Sequence, residues 1–131
     1  MADRGARAGV QGLARLWHAT RYSLDGLGAA YATQAAFRQE LALAALLIPL
    51  AVVLTVFSPL TWGECALLVA SVLLILIVEL INSAIESVVD RISDERHALS
   101  KRAKDAGSAA VLVSLTTCAV VWALVLLDAF A

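Results

Sequence analysis

The chain has 131 residues, 61% of them apolar and 16% charged, against about 45–50% and about 25% in a soluble domain. That length allows one domain, the apolar content excludes intrinsic disorder, and a net charge of −1 gives a nucleic-acid binder no support. Two cysteines make no disulfide framework, and a mean hydropathy of +0.84 marks a small integral membrane protein.

The N-terminal stretch carries no apolar core of the kind a signal peptide needs, so no cleaved leader is expected. Over residues 12–36, Leu13, Leu16, Trp17, Leu24, Leu27 and Tyr31 recur at helical spacing, while Arg15, His18, Arg21 and Asp25 fall elsewhere. The pattern predicts an amphipathic helix lying on the cytosolic leaflet, with simple anchoring as its plainest role.

A helix crosses the roughly 30 Å hydrocarbon core with about 20 apolar residues. Leu41–Gly63 offers 23 without a charge, which predicts a first span over 41–58; Pro49 is tolerable inside it, and Pro59 and Gly63 mark the turn that follows. Cys65–Val78 offers only 14 before Glu79 interrupts, and Ala106–Leu127 offers 22. The basic residues decide the middle segment. Arg4, Arg7, Arg15, Arg21 and Arg38 precede the first span, and Arg91, Arg96, Lys101, Arg102 and Lys104 cluster before the last. The positive-inside rule puts both groups in the cytosol, which requires the middle segment to cross as well. The expectation is a single integral-membrane domain over 1–131: spans at 41–58, 62–90 (extending into the cytosol) and 105–127, N-terminus cytosolic, C-terminus outside. Trp62 and Trp122 are candidate interfacial anchors, Trp122 lying deep for that task.

Glu79, Asn82, Glu86 and Asp90 are spaced three, four and four residues apart. At 100° per residue they share one narrow face, over about 16 Å of helix. An ionisable group costs about 2.5–3.5 kcal/mol at the bilayer centre on the insertion scale, so a stripe of three carboxylates and an amide points to function. Plainer readings exist for two of them: Asp90 marks the helix's exit into water, and Asn82 bonds a neighbouring helix. Carboxylates at a water–lipid boundary suit binding of Mg²⁺, which takes oxygen ligands and substrate phosphates. They also suit removal of a proton from a lipid hydroxyl attacking a phosphoryl group. Lys101, Arg102 and Lys104, with Asp105 and Ser108 after them, open the third span, where cations and helix N–H groups favour phosphate. There is no GxxxxGK[ST] loop and no HRD or DFG set, which excludes the soluble kinase folds, and the cysteines and histidines lack zinc spacing.

The run Glu79-Leu-Ile-Asn82-Ser-Ala-Ile-Glu86-Ser-Val-Val-Asp90-Arg resembles the prokaryotic integral-membrane diacylglycerol kinases. So do Glu95-x-His97-x-Leu-Ser, Arg102-Ala-Lys104-Asp105-x-Gly-Ser108-Ala-Ala-Val, Ala-Ala-Phe37-Arg38-Gln39-Glu40 and Tyr22-Ser-x-x-Gly-Leu. The likeness covers about residues 13–127. It implies an all-α homotrimer of three-span protomers with N-terminal surface helices and shared active sites, in a bacterial inner membrane with the C-terminus periplasmic. It implies phosphoryl transfer from ATP, with Mg²⁺ as cofactor, to diacylglycerol, giving phosphatidic acid. By position Glu79 is the general base and Glu86 holds the metal. Arg15, Tyr22, Asn82, Asp90, Glu95, His97, Lys104 and Asp105 fall to the nucleotide, and Arg38, Glu40, Glu79, Ser108 and Trp122 to the lipid.

Two positions depart from the family's pattern. Gln34 stands where a glutamate usually joins Glu86 at the metal, and an amide ligates without bringing charge. Arg96 stands where an aromatic is frequent, exchanging ring stacking on the base for guanidinium stacking. Other readings are an undecaprenol kinase, a small proton-coupled transporter using Glu79, and a non-catalytic relative.

Overall fold

The computed structural model describes residues 3–131, with side chains from Gly12 onward; the side chains of Arg4 and Arg7 lie outside the described residues. Four helices follow one another: α1 (Asp3–Thr33), α2 (Ala35–Phe57), α3 (Trp62–Ile92) and α4 (Ala98–Phe130). Among the described residues there is no strand.

The chain divides into two units, α1 by itself and residues 34–131. On α1 the side chains of Leu13, Leu16, Trp17, Leu24, Leu27 and Tyr31 are exposed, an uncovered apolar set at helical spacing. Its hydroxyl groups turn back on their own helix: Thr20 donates to the Leu16 carbonyl at 2.9 Å and Ser23 to that of Ala19 at 2.9 Å. The break before α2 falls at Gln34, whose backbone is extended at φ −108°, ψ 111°. The break therefore lies inside the 12–36 stretch that the periodicity assigns to one helix.

In the second unit α2, α3 and α4 are each long and apolar enough to cross a membrane. The middle one is longer than its 14 uncharged residues suggest, because α3 continues without interruption through Glu79 for 31 residues. It begins with a capping box. Thr61 Oγ1 accepts from the Glu64 N–H at 3.3 Å, and Glu64 Oε2 accepts from the Thr61 N–H at 2.6 Å. α4 begins at Ala98, earlier than the charge-free run, because Ala, Leu, Lys and Arg favour helix and His97 caps it.

α3 packs against both α2 and α4. Lipid tails are as apolar as leucine, so helices in a bilayer adhere where small side chains allow close approach. Buried positions follow that rule: Ala44, Ala51, Cys65 and Cys118 lie among Leu68, Val72 and Ile75. Ser71 spends its hydroxyl inside this core, donating to the Leu68 carbonyl at 2.8 Å and lying 3.5 Å from Cys118 Sγ. Both cysteines are free and buried, as small core residues. Trp122 packs against the two halves of the core, so it serves the interior rather than the interface.

Candidate active site

The polar face of α3 stays together as its spacing predicts, and the neighbouring helices add to it. Glu79 is 4% exposed. Glu86, two turns on, is half-buried and close enough to repel it, and Glu40 from the second turn of α2 repels it as well. One carboxylate oxygen of Glu40, Oε2, is buried without a hydrogen-bond partner. Glu79 thus feels a carboxylate from each of two directions, Glu86 along its own helix and Glu40 from α2. Burying Glu79 beside charges of its own sign costs stability.

Asn82 lies between Glu79 and Glu86 and is also buried; its Nδ2 donates to Glu86 Oε1 at 3.3 Å. One turn beyond Glu86, Asp90 accepts an ion pair at 2.5 Å from Lys104 of α4. Lys104 lies within electrostatic reach of Glu86 too. The acidic face and the basic start of α4 therefore meet, as opposite charges require.

Beside this bridge opens a cleft of about 600 Å³, within the range of roughly 300–1,000 Å³ usual for small-molecule sites. Asp90, Glu95, Arg96, His97, Lys104 and Asp105 all line it. His97 is fixed by its role as N-cap. Its Nδ1 accepts from the Leu99 N–H at 3.1 Å, so in the neutral ring the proton sits on Nε2 as a donor. Asp105 pairs with Lys101 one turn earlier, at 2.5 Å. Ser108 is exposed on α4, and the buried indole N–H of Trp122 has no partner. Arg38 is exposed near the start of α2. Gln34 is half-buried and spends no side-chain bond on capping α2. Arg15 and Tyr22 are exposed on α1.

The chain matches the family model for prokaryotic diacylglycerol kinase over residues 21–126. The chain belongs to that family. It is 56% identical to a diacylglycerol kinase of Pseudomonas aeruginosa over 119 residues, 91% of this chain and 94% of the relative. A diacylglycerol kinase of Haemophilus influenzae is 50% identical over 85% of this chain and 91% of its own length. One of Escherichia coli K12 is 45% identical over 91% and 94%. The match begins inside α1 and takes in α2, α3 and all but the last turn of α4, with Glu40, Glu79, Glu86 and the cleft.

Two site features escape the one-dimensional pattern. The approach of Glu40 to Glu79 depends on how α2 crosses α3, which no spacing encodes. The other is Gly107, buried on α4: a Cβ there would run into Asn82 Oδ1. The small-residue run Gly107-Ser108-Ala-Ala was the available signal, and by itself it reads only as close helix packing.

Proposed function

We propose that this chain transfers the γ-phosphate of ATP to the free hydroxyl of diacylglycerol, giving phosphatidic acid, with Glu79 as the base. The observation that carries this reading is a 4%-exposed carboxylate within an apolar helix, repelled by Glu40 and Glu86, on the same helical face that ends about 16 Å on at a cleft lined by Lys104, Arg96 and acidic residues. A carboxylate so placed is positioned to take the proton of a lipid hydroxyl. As the lipid oxygen bonds to the γ-phosphorus, its proton passes to Glu79, the β–γ bridging bond breaks, and ADP leaves with that bond's electrons.

Lys104, at the cleft, supplies positive charge for the phosphates, Arg96 a guanidinium to stack on the base, and Glu95, His97 and Asp105 hold the rest of the nucleotide. Arg38, Glu40, Ser108 and Trp122 receive the lipid. Asp90 keeps Lys104 in place through the 2.5 Å bridge. Among the described residues no three of His, Cys, Asp and Glu gather tightly enough to hold a metal by themselves. Mg²⁺ settles for one or two protein oxygens plus substrate phosphates. Glu86 and Gln34 would hold it; when bound it neutralises charge across the β- and γ-phosphates.

The working form we propose is a homotrimer in the bacterial inner membrane, with the N-terminus and the 91–104 cationic loop in the cytosol. Within their spanning windows α2 and α4 are only 22% buried by their own chain, which leaves broad faces for lipid or neighbouring protomers. Family membership favours the kinase over the transporter reading, and the transfer assay separates it from a non-catalytic relative. The test is transfer of labelled γ-phosphate from MgATP in mixed micelles, with diacylglycerol and undecaprenol as rival acceptors. Label in phosphatidic acid is expected; label in undecaprenyl phosphate alone, or none, would overturn the assignment. A monomer by mass in detergent would overturn the trimer.

A further inference from the structure

We infer that Gly107 of α4 leaves the space in which the Asn82 amide presents an N–H to Glu86, so that Asn82 is a positioning residue and Gly107 the position that permits it. The inference rests on Glu86 being the metal-holding carboxylate proposed above.

Asn82 is 7% exposed, and its two amide atoms meet different surroundings. Nδ2 donates to Glu86 Oε1 at 3.3 Å, one turn along α3. Oδ1 is buried and has no hydrogen-bond partner. Its neighbour across the helix contact is Gly107, where an added Cβ would collide with Oδ1 and come within 3.2 Å of Cγ. A buried acceptor left unbonded is costly, and native proteins keep few of them. Turning the amide over would be worse. It would set Oδ1 against the Glu86 carboxylate, acceptor against acceptor, and spend Nδ2 on a glycine that offers no acceptor side chain. With the amide held, Glu86 Oε1 is tied to the helix and its other oxygen is left for a ligand. Lys104, one turn before Gly107 on α4, reaches Asp90, one turn beyond Glu86 on α3. The register of α4 against α3 thus sets both the carboxylate and the cation of the site. Asn82 acts through Glu86 and need not touch the nucleotide.

The test is a cycle of Gly107→Ala, Asn82→Ala and the double variant in the full-length enzyme, with Glu86→Gln as reference. Two readouts are followed in detergent micelles: Mn²⁺ binding by electron paramagnetic resonance with a non-hydrolysable ATP analogue, and the Mg²⁺ dependence of kcat. Each single variant is expected to weaken Mn²⁺ binding by about tenfold or more, the worth of a hydrogen bond to a charged group. Gly107→Ala should add nothing in the Asn82→Ala background, where no amide is left to displace. An equal loss from Gly107→Ala in both backgrounds would reduce the glycine to a packing residue and overturn the inference. Wild-type Mn²⁺ affinity in Asn82→Ala, which removes atoms and introduces none, would overturn it even if Gly107→Ala failed to fold. Unchanged Mn²⁺ binding in Glu86→Gln would instead sink the metal assignment, and the inference with it.

Discussion

Replacing Glu79 by glutamine should separate activity from stability in opposite directions. The substitution keeps the side chain's shape at a position only 4% exposed, so packing against α2 and α4 is retained. It removes a carboxylate held beside Glu40 and Glu86, both of which repel it. The energetic cost of an ionisable group reaches about 2.5–3.5 kcal/mol at the bilayer centre and falls toward the interface, which caps what the amide can recover. Thermal unfolding in detergent should therefore occur at the same temperature or a few degrees higher. The loss in kcat should be about 10²–10⁴-fold, the usual contribution of a positioned base. The assay pairs labelled-phosphate transfer in mixed micelles with a melting curve on the same preparation. Activity retained within a few-fold would refute Glu79 as base. A fall in activity that came with a lower melting temperature would refute the reasoning differently, by making Glu79 a structural residue.

Lys104→Gln should leave the melting temperature nearly unchanged, because exposed ion pairs contribute little, and should raise KM for ATP by about tenfold as a phosphate contact is lost. The pair it breaks has side chains 41% and 64% exposed; a large drop in melting temperature would show the bridge to be structural instead. His97→Ala should cost about 0.5–2 kcal/mol of stability through loss of the α4 cap, and His97→Asn should restore most of it; melting curves that do not distinguish the two variants would count against the cap. Gln34→Glu should lower the Mg²⁺ concentration for half-maximal activity about tenfold, since a charged ligand replaces a neutral one; an unchanged titration would remove residue 34 from the metal site.

The part of the site that lies along one helix was readable in advance. Glu79, Asn82, Glu86 and Asp90 obey the helical period, and three residue spacings sufficed to put them on one face. The meeting of that face with Lys104 was readable in outline, because opposite charges stood close in the chain. What could not be read depends on crossings between helices. Glu40 approaches Glu79 because of where α2 meets α3, and Gly107 matters because of the side chain it faces on another helix. α4 starts at Ala98, ahead of the span that uncharged residues mark, since a helix emerging into water has no reason to stop at a charge. His97 gave no warning either, imidazole being outside the usual set of N-cap residues.

The tip of the α2–α3 hairpin closes on itself. Its backbone is served from within: the Leu60 N–H lies 3.4 Å from Ser58 Oγ, the Thr61 N–H goes to Glu64 Oε2 at 2.6 Å, and the Glu64 N–H goes to Thr61 Oγ1. A bare peptide group dragged through hydrocarbon is costly. A tip that carries its own acceptors leaves fewer bare peptide groups there, so the turn between α2 and α3 is closed by the chain itself rather than by water.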